Sequence, residues 1–155
     1  MKFRGWVIVI VLASALVATG CSRANPALVA QAPGGEGDGA VSNQLEVAAT
    51  AGTAYEQTEL NAPAGQELTV TFTNPAQLPH NWVLVEPGQE QAVVDAADAE
   101  GNVPEDTPGA LAIGEIIVAA SEEIPVQPLE PGEYTYLCTF PGHYAGGMAG
   151  TLIVQ

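Results

Sequence analysis

Basic residues are almost missing from this chain of 155 residues. Lys2, Arg4 and Arg23 are the only three, against 18 aspartates and glutamates that all lie at or beyond Glu36. No cationic patch can form to grip a phosphate backbone or an anionic bilayer, so nucleic acid is excluded as a partner. Such acidity keeps a protein soluble, and it also steers a basic partner into encounter. Long hydrophobic runs are lacking too. The apolar stretch at residues 6–18 is shorter than the roughly 20 residues a membrane helix needs. Cysteine, histidine and methionine number two each, so any chemistry that depends on them is confined to very few places.

The apolar stretch follows Lys2 and Arg4 and reads as an export signal. It ends in Leu16-Val17-Ala18-Thr19-Gly20-Cys21, small residues directly before a cysteine, which resembles a bacterial lipoprotein signal. That resemblance implies cleavage before Cys21 and lipidation of its thiol, with an uncleaved N-terminal anchor as the alternative. Either outcome places the protein on the outer face of the cytoplasmic membrane. Residues 22–43 are rich in Ala, Pro, Gly and Ser, with Pro33-Gly34-Gly35-Glu36-Gly37-Asp38-Gly39 at their centre. They carry too little bulky apolar surface to fold alone. The expected division is therefore a signal or anchor segment at 1–20, a flexible tether at 21–43 and a folded domain at 44–155.

Within the domain the pattern is that of strands. Leu45, Val47 and Ala49 alternate with smaller or polar neighbours. Leu68, Val70 and Phe72 alternate with Glu67, Thr69, Thr71 and Thr73 between turn signals at 63–65 and 74–75, as in a half-buried strand. Residues 80–85 are apolar on both faces and read as a central strand, and 132–138 and 150–154 as two more. Residues 89–99 predict a short helix closed by Gly101-Asn102. The β-branched cluster Ile116-Ile117-Val118 predicts another strand, and Pro125 marks 124–126 as an edge. Many short strands, 12 prolines and 17 glycines point to an all-β sandwich of about 110 residues.

The chemistry gathers in Cys138-Thr139-Phe140-Pro141-Gly142-His143-Tyr144-Ala145-Gly146-Gly147-Met148. A thiol, an imidazole and a thioether are spaced Cys-x4-His-x4-Met in a loop of small and turn-forming residues. Cys138 is a solitary thiol in an exported protein, where oxidation threatens it. It could be a buried inert cysteine or a disulfide partner of Cys21, but its neighbours favour a metal. His80, at a strand start after Leu78-Pro79, is the one other histidine. Two imidazoles, a thiolate and a weak axial thioether form the ligand signature of a blue-copper electron-transfer site.

His80-Asn81-Trp82-Val83-Leu84 together with the Cys138–His143 loop resembles the cupredoxins, azurin and its relatives. The longer gap from His143 to Met148 and the Gly146-Gly147-Met148 end are similar to the auracyanins of filamentous anoxygenic phototrophs. The resemblance covers residues 43–155. It implies an eight-stranded Greek-key sandwich with a short helical insertion and one type 1 copper ion, Cu(I)/Cu(II). His80, Cys138 and His143 would be the strong ligands and Met148 the weak axial one. Pro79 stands where azurin has a glycine whose carbonyl approaches the metal, and Asn81 would tie the two ligand loops together. Tyr134 and Tyr136 share a strand face with Cys138 by alternation and are expected to point inward near the copper end, one of them as a tyrosine corner. Trp82 is expected in the core.

The expected function is a membrane-tethered, monomeric carrier of single electrons, not an enzyme. Copper oxidases and nitrite reductases need further histidines for a catalytic copper, and a copper-storage or delivery module needs Met- or His-rich clusters. Zinc could occupy the site only adventitiously. Electrons would pass through the His143 edge, amid Pro79, Pro141, Gly142, Tyr144 and Ala145. The resemblance implies a quinol-oxidising complex as donor and a cytochrome feeding a photosynthetic reaction centre as acceptor, a terminal oxidase being the alternative.

Overall fold

The computed structural model describes residues 41–155. The export segment, Cys21 and most of the tether lie outside them. Ser42 and Asn43, expected to close the tether, are already bonded to the domain: Ser42 N–H to Asn61 O at 3.3 Å, and Thr69 N–H to Asn43 O at 2.9 Å.

Eight strands and one helix follow: β1 (Gln44–Ala48), β2 (Glu59–Ala62), β3 (Leu68–Asn74), β4 (Val83–Val85), α1 (Glu90–Glu100), β5 (Ala110–Ile113), β6 (Ala120–Val126), β7 (Gly132–Leu137) and β8 (Ala149–Val154). They form a three-stranded sheet, β1-β3-β6, and a five-stranded sheet, β2-β8-β7-β4-β5. The expected all-β sandwich with a short helical insertion is what the chain adopts. In β3 the alternation holds throughout, with Leu68, Val70, Phe72 and Asn74 buried and the residues between them partly open. Val70 lies between Leu45 of β1 and Ile124 of β6. Pro125 sits in β6 at the sheet edge, where its missing N–H costs no ladder bond.

The inter-sheet core is built around Phe72, Trp82, Leu84, Tyr136 and Leu152, all fully buried. Each large apolar side chain so removed from water contributes about 1.5–3 kcal/mol. On the outer face of the larger sheet, α1 sets Val93 and Ala97, one turn apart, into a second cluster with Val83, Val85 and Leu137. That cover explains why the segment after His80 is apolar on both faces: β4 is buried between the core and the helix. The helix ends at Gly101, whose φ of 81° is left-handed and whose N–H caps Ala97 O.

Two expectations need correcting. The strand predicted at Ile116-Ile117-Val118 is displaced to Ala110–Ile113, and Ile117 keeps only an isolated bridge to His80. Gly114 passes so close to Trp82 O, Glu122 and Ile124 that no side chain fits there, and Ala119 adopts φ 49°. The crowding at Gly114 and the left-handed backbone at Ala119 break the strand, and β-propensity does not resist them. Tyr134, expected inward at the metal end, is only half-buried near the opposite end of β7. Its hydroxyl donates to Glu130 O, four residues upstream, at 2.9 Å, which makes it the tyrosine corner. Tyr136 points inward as expected, stacked on Trp82 at 5.6 Å.

Candidate metal centre

The Cys-His-Met segment is the loop joining β7 to β8. Cys138 N–H donates to Met148 O at 3.1 Å, so the hairpin ladder runs on past Leu137 before it opens. The backbone then winds through successive turns: His143 N–H to Phe140 O, Gly146 N–H to Gly142 O and Met148 N–H to His143 O, each at 3.0 Å. Gly142 and Gly147 stand at φ 82° and 95°, conformations that glycine reaches without strain. The glycine spacing between the ligands is therefore what lets the eleven residues from Cys138 to Met148 fold back tightly enough to bring three donors together.

His80 arrives on the segment that joins β3 to β4, the strand paired with β7. Its N–H donates to Ile117 O at 3.1 Å and its carbonyl accepts Ile117 N–H at 2.9 Å, which fixes its backbone on both sides. Asn74, buried at the end of β3, holds the same two loops by donating from Nδ2 to Leu78 O at 2.8 Å and Ile117 O at 2.7 Å. Asn81 then ties His80 to the ligand loop. Its Oδ1 accepts Thr139 N–H at 2.9 Å, and its Nδ2 donates to Thr139 Oγ1 at 2.9 Å. This is the link expected of Asn81.

The ligand atoms of His80, Cys138 and His143 lie within 4.8 Å of one another, the one such cluster of metal-ligating His, Cys, Asp or Glu among the described residues. Cys138 Sγ is 3.5 Å from His143 Nδ1, and the two imidazoles lie tilted at 44° to each other, 4.9 Å between centroids. Met148 is fully buried beside them. Cys138 is a free, buried thiol. His143 alone among the four keeps some exposure, 9%, and Phe140 leans on its ring at 4.9 Å.

A metal fits this set. Both ring nitrogens of His80 are buried without a hydrogen-bond partner, and an unpaired buried polar atom costs about 1–3 kcal/mol. Burial pushes both imidazoles below the usual histidine range, and for His80 the neighbouring His143 adds to it. They are thus neutral ligands at neutral pH. Burial pushes the Cys138 thiol up, against the amide N–H groups of Asn81 and Phe140, which face the sulfur and favour its thiolate. A soft cation bound here would supply the remaining compensation. His80, Cys138, His143 and Met148 are arranged like a type 1 copper site, with two imidazoles, a thiolate and a thioether.

The depressed imidazoles set a pH dependence for the copper-free protein. The unfolded chain, with histidines near 6.5, binds protons more tightly than the folded one, so stability rises with pH. It is held in full above about pH 6.5 and lost as the pH falls below that value. Thermal melts of copper-free protein between about pH 7.5 and pH 5.5 should show a falling Tm. A flat profile would contradict the neutral, buried assignment.

One contributor was not legible beforehand. Tyr55 enters from the segment between β1 and β2, is buried, and donates its hydroxyl to Asn81 O at 2.6 Å. No motif or periodicity marks it, since the contact spans 26 residues of chain.

A family model described as copper-binding proteins of the plastocyanin/azurin family matches residues 41–155. Auracyanin-B of Chloroflexus aurantiacus is 39% identical over 137 residues, covering 81% of this chain and 58% of that protein. Auracyanin-A of the same organism is 35% identical over 111 residues, 66% of this chain and 67% of that protein. The chain thus spans little more than half the length of auracyanin-B. Among solved structures, a dithionite-reduced auracyanin from the photosynthetic bacterium Roseiflexus castenholzii superposes with a TM-score of 0.71 at 35% identity, over 75% of this chain and 99% of that one. A soft ligand set held between two sheets, the matched residues and these relatives agree: the chain belongs to the plastocyanin/azurin family of copper-binding proteins, the cupredoxins.

Proposed function

We propose that the protein is a membrane-tethered carrier of single electrons outside the cytoplasm, and not an enzyme. Bound copper supplies the one-electron couple between Cu(I) and Cu(II). The chain's own residues supply three other things. His80, Cys138 and Met148 are sealed from water, and their backbones are bonded within the sandwich, so little has to move when charge changes. His143 offers the one ligand edge that reaches the surface, and this observation carries the reading. Around it Pro141, Gly142 and Ala145 are exposed and Pro79 and Tyr144 half-exposed, a rim without formal charge against which a partner can pack closely.

The partners we propose are cytochromes with a basic or apolar contact surface. A quinol-oxidising membrane complex is the donor, and a cytochrome serving a photosynthetic reaction centre the acceptor. The auracyanin of R. castenholzii comes from a photosynthetic bacterium, which supports a photosynthetic setting for the acceptor. Lipidation of Cys21 or an uncleaved anchor would hold the domain at the outer face of the cytoplasmic membrane, as a monomer on its tether.

The test is electron transfer to a basic cytochrome, followed by stopped flow against salt. With 18 carboxylates and three basic residues in the chain, the second-order rate should fall about tenfold or more as the Debye length shrinks from about 30 Å to about 8 Å. A rate independent of salt would remove electrostatic steering from the proposal. Failure of the copper-loaded protein to cycle between oxidised and reduced forms would remove the carrier itself.

A further inference from the structure

Asn81 has every polar group engaged. Its amide N–H faces Cys138 Sγ, its side chain is bonded both ways to Thr139, and its carbonyl oxygen accepts the Tyr55 hydroxyl at 2.6 Å. Tyr55 belongs to neither ligand-bearing segment. It projects from a stretch that folds back on β1, with Glu56 N–H on Ala48 O at 2.8 Å and Thr50 N–H on Ala54 O at 2.9 Å. Its ring stands edge-on to Phe72 at 6.0 Å and to Tyr136 at 5.3 Å, so the hydroxyl is aimed by packing on two sides. A second phenol provides a natural comparison. Tyr136 donates to Gln57 O, also at 2.6 Å, but that acceptor is not part of a segment that carries a ligand. Both phenol protons rest on backbone carbonyls and neither faces a base. The pair is therefore arranged to hold backbone in place, not to lose a proton on oxidation.

We propose that Tyr55 is a positioning residue for the metal centre: its hydroxyl fixes the Asn81 backbone so that the Asn81 side chain holds Thr139, and with it the neighbouring Cys138 sulfur, against the Asn81 N–H, and thereby raises the reduction potential. The proposal rests on the copper reading above. An N–H directed at a thiolate withdraws charge from sulfur, and hydrogen bonding around that sulfur tunes the potential of such a site. Withdrawal of charge favours the more electron-rich, reduced state. The Asn81 N–H shares a peptide plane with His80 O, which Ile117 N–H holds. Release of the Asn81 carbonyl would loosen the side chain's hold on Thr139 and let the neighbouring sulfur drift from the N–H.

Tyr55→Phe and Tyr136→Phe each delete one phenol-to-carbonyl bond and keep the ring. Tyr55→Phe should shift the copper couple threefold to tenfold toward the oxidised state, at most about 59 mV by the one-electron conversion. In copper-free protein it should also speed amide hydrogen exchange at Asn81 and Thr139 about tenfold beyond the change that Tyr136→Phe produces. Tyr136→Phe should lower the melting temperature to a similar degree and leave the potential in place. Equal shifts of potential in the two variants, or wild-type potential and exchange in Tyr55→Phe, would overturn the proposal. The exchange comparison needs no metal. A wild type that never develops a copper–thiolate band would defeat the copper reading, while exchange would still decide whether Tyr55 holds Asn81.

Discussion

Cys138→Ser is expected to abolish the intense visible absorption of the copper-loaded protein, a fall of at least about tenfold that leaves only weak bands. A thiolate is soft and polarizable, and its bond to Cu(II) is the source of charge-transfer colour; a serine hydroxyl is hard and stays protonated at neutral pH. The site favours this chemistry from several directions, since Cys138 is buried and unpaired, with Asn81 and Phe140 N–H facing its sulfur. Met148→Leu is the contrasting change. It removes the weakest donor and keeps the volume, so the colour should persist. The potential should rise by about 59 mV or more, a tenfold change in the one-electron equilibrium, because the oxidised ion loses a ligand. Spectrophotometric redox titration of both variants reads the two effects together. A strong visible band in Cys138→Ser, or loss of copper binding in Met148→Leu, would mean that the ligand roles are misassigned.

Gly150→Ala should be among the most damaging single-methyl changes in the domain. Gly150 lies directly across from Tyr136 in the β7–β8 ladder, and a Cβ there would fall on the tyrosine ring and hydroxyl. That ring cannot retreat, because Trp82 stacks on it, Tyr55 abuts its edge and Gln57 O holds its hydroxyl. Overpacking of this kind costs about 1–3 kcal/mol, and displacement of the phenol would add an unmade hydrogen bond of about 1 kcal/mol. A loss of about 3 kcal/mol, or about 10 °C in Tm, should appear in denaturation of the copper-free protein. Gly132→Ala is the control, since a Cβ there meets Tyr134 only at ordinary contact distance. It should stay within about 1 kcal/mol of wild type. Equal losses in both would mean that general strand strain, and not the Tyr136 contact, sets the cost.

The parts of this molecule that were legible in its sequence are those encoded over short distances. Cys138, His143 and Met148 sit in one loop, and their spacing survives into the fold because consecutive turns need only the residues between them. The alternation in β3 and the Gly101 end of α1 are local in the same way. His80 was found by scarcity, as the one other imidazole in the chain. What escaped was set by distant partners. β2 is four residues of modest strand propensity, recruited by parallel pairing with β8. Ile117 looked like the middle of a strand, but the crowding at Gly114 leaves it a single bridge. Tyr55 carries no local mark, and its meaning appears only when Asn81 O is found above it.

The strand directions give the domain two poles. Thr69, at the start of β3, meets Asn43, and Gln155 is bonded to Ala62 and Ala64. Asn74, five residues and about 16 Å further along β3, grips the loops beside His80. Both ends of the described chain therefore leave from the pole opposite the metal centre. A surface handle attached through either end of the described domain would present His143 outward, so immobilisation on an electrode or a bilayer leaves the metal-centre face turned toward solution.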